Sequence, residues 1–257
     1  MVEIKTDASV DAMREAGRVV AQALRAVQDA ASVGVTLREL DEVAREVLRG
    51  AGAGSPFLDY HPDWAPVPFP GVICASVNDA IVHGVPDGYR LRDGDLVSID
   101  CGASLGGWVG DSAVSFTAGR ARPEDVRLIE TAREALDAGI AAAVVGNRIG
   151  DIAHAIGTVC RRAGYGIPQD FGGHGVGRTM HEGPDVPNEG RPGRGMKLRH
   201  GMVIAIEPML IGGGGDEYRH SPDGWTLRTT DGSRAAHAEH TVAIVEGGGA
   251  GRVLTAL

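Results

Sequence analysis

The 257-residue chain is 43% hydrophobic, which supports a sizeable core and fits one large domain or two small ones. Its net charge of -9 argues against a broad nucleic-acid or anionic-membrane surface, which requires clustered Lys and Arg. Three widely spaced cysteines, no signal-peptide core and no apolar run of roughly 20 residues predict a cytoplasmic protein with free thiols and no membrane partner.

Four segments have the periodicity of amphipathic helices and cover about 10–31, 37–49, 124–145 and 149–163. Thr36 is the predicted N-cap of the second helix, and Glu39 completes a capping box. Between the second and third helices, the Pro-rich segment 62–70 is predicted to be an exposed loop.

The two helix pairs repeat along the chain, with Gly34 matching Gly146 and Pro56 matching Pro168 at the same offset. Chance similarity between amphipathic helices is the alternative, but agreement of glycine and proline at helix ends favours duplication. Strand-like runs follow each pair, at 72–77, 96–100 and 114–116, and again at 202–207 and 241–245. Helices followed by strands indicate an α+β domain spanning 1–257, with halves of approximately 1–121 and 122–257 and a cleft where the strands meet.

Two pairs of acidic residues lie next to these strands. A hairpin that turns within 104–107 would place Asp100 and Asp111 opposite each other, where like charges require a cation between them. Glu207 and Glu239 flank a second turn sequence at 221–224. One such pair is usually a solvated surface feature, but two pairs in repeat-related halves favour a shared metal cluster.

A histidine surrounded by glycines is the fifth candidate ligand. Glycines on both sides of His174 permit a close backbone approach, and imidazole is a ligand for borderline metals. A structural histidine is the alternative. His181-Glu182 does not start a zincin helix, because Asp185 stands where that motif has its second histidine.

Together these residues resemble type I methionine aminopeptidase. The resemblance is carried by Ser98-Ile99-Asp100, Gly110-Asp111-Ser112, Gly173-His174-Gly175-Val176-Gly177, His181, Ile206-Glu207-Pro208 and Glu239-His240-Thr241. It extends over almost the whole chain and implies the pita-bread fold, which aminopeptidase P, prolidase and creatinase share. In that fold two pseudo-twofold-related halves form a central antiparallel sheet covered by two helix pairs.

The resemblance also implies a centre with two divalent ions. Asp100 would chelate one ion, Asp111 and Glu239 would bridge both, and His174 and Glu207 would complete the shell of the other. Four carboxylates and one imidazole suit Co, Mn, Fe or Zn.

Catalytic and substrate-binding roles follow from the same resemblance. His83 would lie near the substrate amine, His181 would bind the scissile carbonyl, and Glu207 would carry a proton to the leaving amine. The methionine pocket would involve Tyr60, His61, Cys74, Met180 and Trp225.

The implied reaction removes initiator methionine from nascent polypeptides that have a small second residue. The ribosome is a further candidate partner, and a monomer is expected. Two features depart from the family pattern: an insertion at 62–68, and Met180 where an aromatic residue is frequent. A proline-directed peptidase and a catalytically inactive binding protein on the same fold are the alternatives. The first usually carries an additional N-terminal domain, and the second typically loses metal ligands.

Overall fold

The computed structural model describes residues 2–247 and 249–257 and contains the four predicted helices. They are α1 (Asp7–Ala30), α2 (Leu37–Gly50), α3 (Pro123–Ala142) and α4 (Ile149–Arg162). Within the described residues, none of the helices is both long and apolar enough to cross a bilayer.

The strands of the described residues include all five that the sequence predicts, together with shorter ones between them. They are β1 (Ile73–Val77), β2 (Ala80–Val82), β3 (Asp95–Leu105), β4 (Trp108–Ala118), β5 (Gly172–Gly175), β6 (Glu182–Pro187), β7 (Val203–Ile206), β8 (Met209–Ile211), β9 (Tyr218–His220), β10 (Leu227–Thr229), β11 (Ala235–His237), β12 (His240–Ala243) and β13 (Arg252–Val253).

Helices α2 and α4 begin in the same way at repeat-related positions. The predicted capping box is confirmed: Glu39 N donates to Thr36 Oγ1 at 3.2 Å, and Thr36 N donates to Glu39 Oε2 at 2.7 Å. At the start of α4, Arg148 N donates to Asp151 Oδ2 at 2.7 Å. An acidic side chain at the third helical position therefore satisfies the backbone N–H before each helix. This shared geometry supports the duplication inferred from the sequence.

The central sheet has one part from each half of the chain. Strands β1, β3 and β4 form the first part, and β13, β12, β7, β5 and β6 form the second in that order. Ala113 N donates to the Glu239 carbonyl at 3.4 Å, and Glu239 N donates to the Ala113 carbonyl at 3.0 Å. These reciprocal bonds join β4 to the start of β12 and make the sheet continuous between the halves.

Each helix pair packs against the strands of its own half. Helix α1 contacts β3 and β4, and α2 contacts β1. Helix α3 contacts β7, and α4 contacts β6. Most of their apolar faces lie in two clusters of buried residues, one for each half. The start of α1 packs in a third cluster, which also contains residues of the second half such as Val203 and Ala243.

The β3–β4 hairpin corrects the predicted register of the two aspartates. Its turn is Gly106-Gly107, with φ of 59° and 77°, and Leu105 pairs with Trp108. Two consecutive positive φ values suit the twist of a two-residue hairpin, and glycine adopts them readily, so the turn lies between the glycines. Asp111 consequently faces Gly102, and it is a diagonal neighbour of Asp100 on the same face of the hairpin.

The two glutamates lie opposite each other on neighbouring segments. Ile206 pairs with His240 on one side of them, and Met209 pairs with His237 on the other. Glu207 and Glu239 fall between these segments in the same register. The connection runs through β9 and β10 and is therefore longer than a tight hairpin.

The Pro-rich segment 62–70 departs from the predicted exposed loop. Ala65 and Phe69 are buried, whereas Trp64 and Val67 are exposed. Trp225 Nε1 donates to the Val67 carbonyl at 2.9 Å, and the Phe69 ring meets Trp225 edge-on at 5.1 Å. Apolar side chains between the prolines fold back onto Trp225 because burying them removes apolar surface from water.

Candidate metal centre

All five predicted ligands line one cleft of about 610 Å³. Asp100 and Asp111 come from β3 and β4, His174 comes from β5, and the two glutamates come from the ends of β7 and β12. His174 Nε2 lies 3.4 Å from Glu207 Oε1 and 4.0 Å from Asp111 Oδ2. These separations match pairs of atoms that bind one ion from different sides at about 2.1 Å each.

Burial of so many carboxylates is unfavourable without a cation. Burial raises the pKa of Asp100, Glu207 and Glu239 well above the usual range, and neighbouring carboxylate charges add to the effect. Burial also raises the pKa of Asp111, to about 7. Among the described residues, Asp100 Oδ1, Asp111 Oδ1 and Glu239 Oε1 are buried without a hydrogen-bond partner. Oxygens left in this way are the donors that a divalent cation needs, so the residues present fit a metal.

His174 is held in the form that binds metals. Its Nδ1 lies 2.9 Å from the Gly175 carbonyl, which accepts a hydrogen bond from Nδ1–H, so the Nε2 lone pair is directed toward the carboxylates. Burial lowers the pKa of His174 to about 3, which keeps the imidazole neutral. A Cβ on Gly173 would lie 2.1 Å from the Ala205 carbonyl oxygen, so the flanking glycine is required by the neighbouring strand.

The two accessory histidines also line the cleft. His181 Nδ1 lies 3.0 Å from the Tyr60 hydroxyl, and its ring packs edge-on against His174 with centroids 4.3 Å apart. His83 has a φ of 58°, in the left-handed region that is uncommon for non-glycine residues. Burial lowers the pKa of His83 to about 4. Such backbone strain is concentrated at functional sites.

The expected methionine pocket is only partly reproduced. Tyr60, Cys74, Met180 and Trp225 line the cleft. His61 is exposed and lies outside the cleft lining, because the insertion carries it away and its Nε2 pairs with the Ala65 carbonyl at 3.1 Å.

The cleft is also lined by four aromatic residues that the sequence did not predict there: Phe57, Trp64, Phe69 and Phe171. Phe57 and Phe69 meet edge-on, and Trp64 lies edge-on to Trp225 with centroids 5.0 Å apart. Because aromatics make up only 4% of the chain, the four that fall within 57–69 (Phe57, Tyr60, Trp64 and Phe69) were the available signal for that part of the cleft.

His237 was also missed. It is buried at the end of β11, and its Nε2 lies 3.7 Å from Glu207 Oε2. One potential ligand atom from each of Glu207, His237 and Glu239 lies within 4.8 Å of the others. Because side chains two positions apart in extended chain share a face, the spacing of His237 and Glu239 was the signal.

The chain is similar in sequence to metallopeptidases over most of its length. The model of metallopeptidase family M24 matches residues 11–246. Methionine aminopeptidase 1 of Mycobacterium tuberculosis is 50% identical over 262 residues, covering 99% of this chain and 95% of that protein. Methionine aminopeptidase 1 of Bacillus subtilis is 40% identical, covering 96% of this chain and 97% of that protein.

Solved structures share the fold. The crystal structure of methionine aminopeptidase from Thermotoga maritima superposes with a TM-score of 0.94 at 37% identity, and the match covers 100% of both chains. Prolidase from Pyrococcus furiosus gives 0.78 at 24% identity, covering 99% of this chain but 65% of that one. The second likeness concerns the fold alone, which is the pita-bread architecture expected from the sequence.

Proposed function

Since the chain belongs to metallopeptidase family M24 and, within it, to the methionine aminopeptidases, we propose that its cleft removes N-terminal methionine by hydrolysing the first peptide bond. Metal-dependent aminopeptidase activity follows from that membership. The observation that carries the assignment of the site is the convergence of four carboxylates and His174 in one cleft, where three carboxylate oxygens have no hydrogen-bond partner among the described residues.

The enzyme uses divalent metal, and we propose two ions per chain. Asp100 would hold one ion, His174 and Glu207 the other, and Asp111 and Glu239 both. Co, Mn, Fe and Zn all suit this donor set. When bound, such ions supply an activated water and a Lewis acid for the scissile carbonyl.

The chain's own residues would handle the protons and the developing charge. We assign the Tyr60 O–H as the donor to His181 Nδ1, 3.0 Å away; the ring proton would then lie on Nε2, from which His181 would donate to the scissile carbonyl oxygen. Glu207 would carry a proton to the leaving amine. His83 would lie near the α-amine of the substrate, and recognition of that amine would restrict cleavage to the first residue.

The apolar side of the cleft supports methionine as the residue removed. Cys74, Met180 and Trp225 are buried there, and Phe57 and Phe69 add aromatic walls. An unbranched thioether side chain makes favourable contacts with aromatic rings. Crowding beyond this pocket would require a small second residue.

The proposal extends to the setting of the reaction. The substrates would be nascent polypeptides, which places the enzyme in the cytoplasm, with the ribosome as a further partner. A monomer would suffice, because both halves of residues 1–257 contribute ligands to a single catalytic domain. No nucleic-acid contact is proposed for a chain with a net charge of -9.

The test is turnover of a Met-Ala-type peptide after chelation and stepwise addition of single metals. We expect activity to disappear on chelation and to return with at least one of the four metals. Intact Met-Ala peptides after reconstitution, or faster cleavage of X-Pro bonds, would contradict the proposal. The second outcome would favour the proline-directed alternative.

A further inference from the structure

His237 is buried next to the proposed metal ligands, and hydrogen bonds fix its backbone. Its backbone N–H donates to Ser115 Oγ at 3.0 Å, and its carbonyl accepts from Ser115 Oγ at 2.7 Å. Ser115 Oγ is itself 2.7 Å from Ser98 Oγ. The side chain of His237 is 2% exposed, so both its backbone and its ring are confined.

The Glu207 carboxylate lies between two imidazoles. Its Oε1 is 3.4 Å from His174 Nε2, and its Oε2 is 3.7 Å from His237 Nε2. Among the described residues, His237 Nε2 is a buried nitrogen without a hydrogen-bond partner. A buried polar atom of this kind calls for an explanation, and the atom it faces is the Glu207 oxygen that does not face His174.

We propose that His237 is a positioning residue, which donates Nε2–H to Glu207 Oε2 and thereby presents Glu207 Oε1 to the ion beside His174. The inference rests on the proposed role of Glu207 as a metal ligand. A rotation of the Glu207 side chain shortens the 3.7 Å separation to a hydrogen bond of about 2.9 Å. Carboxylates that bind metals are commonly fixed by a second hydrogen bond of this type.

To position Glu207, residue 237 must carry a hydrogen-bond donor as far from the backbone as Nε2 of histidine. His237→Gln keeps an N–H donor at nearly that reach, whereas His237→Asn has the same amide group but is one methylene shorter. Comparing the two variants separates the reach of the donor from polarity. His237→Leu, which fills the buried site without a donor, serves if the Asn variant fails to fold.

The experiment is calorimetric titration of the chelated full-length proteins with Co²⁺, with thermal unfolding of the metal-free forms as the control for folding. We expect His237→Gln to bind Co²⁺ within about threefold of wild type, and His237→Asn or His237→Leu to bind about 10 to 100 times more weakly. The visible absorption spectrum of bound Co²⁺ should be retained in His237→Gln, because the ligands themselves are unchanged.

Three results separate the two proposals. Wild-type affinity in both the Asn and Leu variants would overturn the role of His237. So would a Gln variant as weak as the Asn variant, or one with an altered Co²⁺ spectrum, because the imidazole would then be a direct ligand. Failure of the wild-type protein to bind Co²⁺, Mn²⁺, Fe²⁺ or Zn²⁺ would instead remove the proposed metal centre.

Discussion

The two walls of the cleft are built in different ways. The ligand wall consists of strand residues, and reciprocal backbone bonds between Ala113 and Glu239 fix it across the two halves. The substrate wall consists largely of aromatic side chains. Its segment 62–70 is held by contacts with Trp225 and by local backbone bonds, in which Phe69 N donates to the Tyr60 carbonyl and Asp59 N donates to the Phe69 carbonyl, both at 2.9 Å. The proposed metal ligands therefore lie on strands, whereas part of the proposed recognition surface lies on a loop.

The largest effect is expected on the ligand wall. His174→Ala should reduce cleavage of a Met-Ala peptide more than about 100-fold, because loss of a direct ligand exceeds loss of an outer hydrogen bond. Circular dichroism should show a retained fold. The control is His154→Ala, which changes an exposed histidine on α4. Full activity in the His174 variant would contradict its role as a metal ligand, and with it the distinction between a ligand wall and a substrate wall.

The pH dependence of stability tests the charge of the same wall. Burial raises the pKa of Asp111 from 3.8 to about 7, so the folded, metal-free protein binds a proton more tightly than the unfolded chain. Protonation of Asp111 therefore adds to the free energy of unfolding. This contribution is fully present below the pKa that Asp111 has in the unfolded chain, and it is lost as the pH rises through about 7.

Asp111→Asn removes that titration. Relative to the metal-free wild type, the variant should gain about 2 kcal/mol of unfolding free energy between about pH 5.5 and about pH 7.5. Chemical denaturation of the two metal-free proteins at the two pH values measures the difference. A difference independent of pH would contradict the charge argument.

The bond between Tyr60 and His181 connects the two walls. Tyr60→Phe removes the hydroxyl that lies 3.0 Å from His181 Nδ1, so the imidazole loses its fixed tautomer. We expect kcat to fall about tenfold with KM nearly unchanged, which is less than the loss of an acid–base group itself because the His181 imidazole is retained. Tyr165→Phe, outside the cleft lining, is the matched control. A change confined to KM would place Tyr60 on the recognition side alone.

The smallest effect is expected at the exposed edge of the substrate wall. Trp64 is 55% exposed and lies over the cleft beside Trp225. Trp64→Ala should raise KM about threefold and leave kcat unchanged, since one aromatic contact contributes about 0.5–1.5 kcal/mol. Val67→Ala, an exposed change on the same segment, should leave KM unaltered. A lower kcat for the Trp64 variant would mean that the loop also orders the ligand wall.

The two walls also differed in how far the sequence predicted them. Asp100, Asp111, Glu207 and Glu239 could be found because strand ends and turns constrain where carboxylates meet. The predicted pairing of Asp100 with Asp111 was wrong by two positions, because Asp100 pairs with Ala113. The error arose because the backbone dihedrals of Gly106 and Gly107, which fix the centre of the turn, cannot be derived from the spacing of the aspartates. The segment 62–70 was misjudged because its burial depends on Trp225, which is far away in the sequence.

The junction of the two halves has a consequence for synthesis of the protein. Ser112 Oγ donates to the Glu239 carbonyl at 2.6 Å, a contact that closes 127 positions of chain, and it lies between two of the proposed ligands. Closing a loop of this length costs chain entropy, so contacts of such long range slow folding. While its own C-terminal strands are still being translated, the polypeptide lacks Glu239 and cannot complete the centre. The protein, which is proposed to act on nascent chains, would therefore have no activity until its own translation is complete.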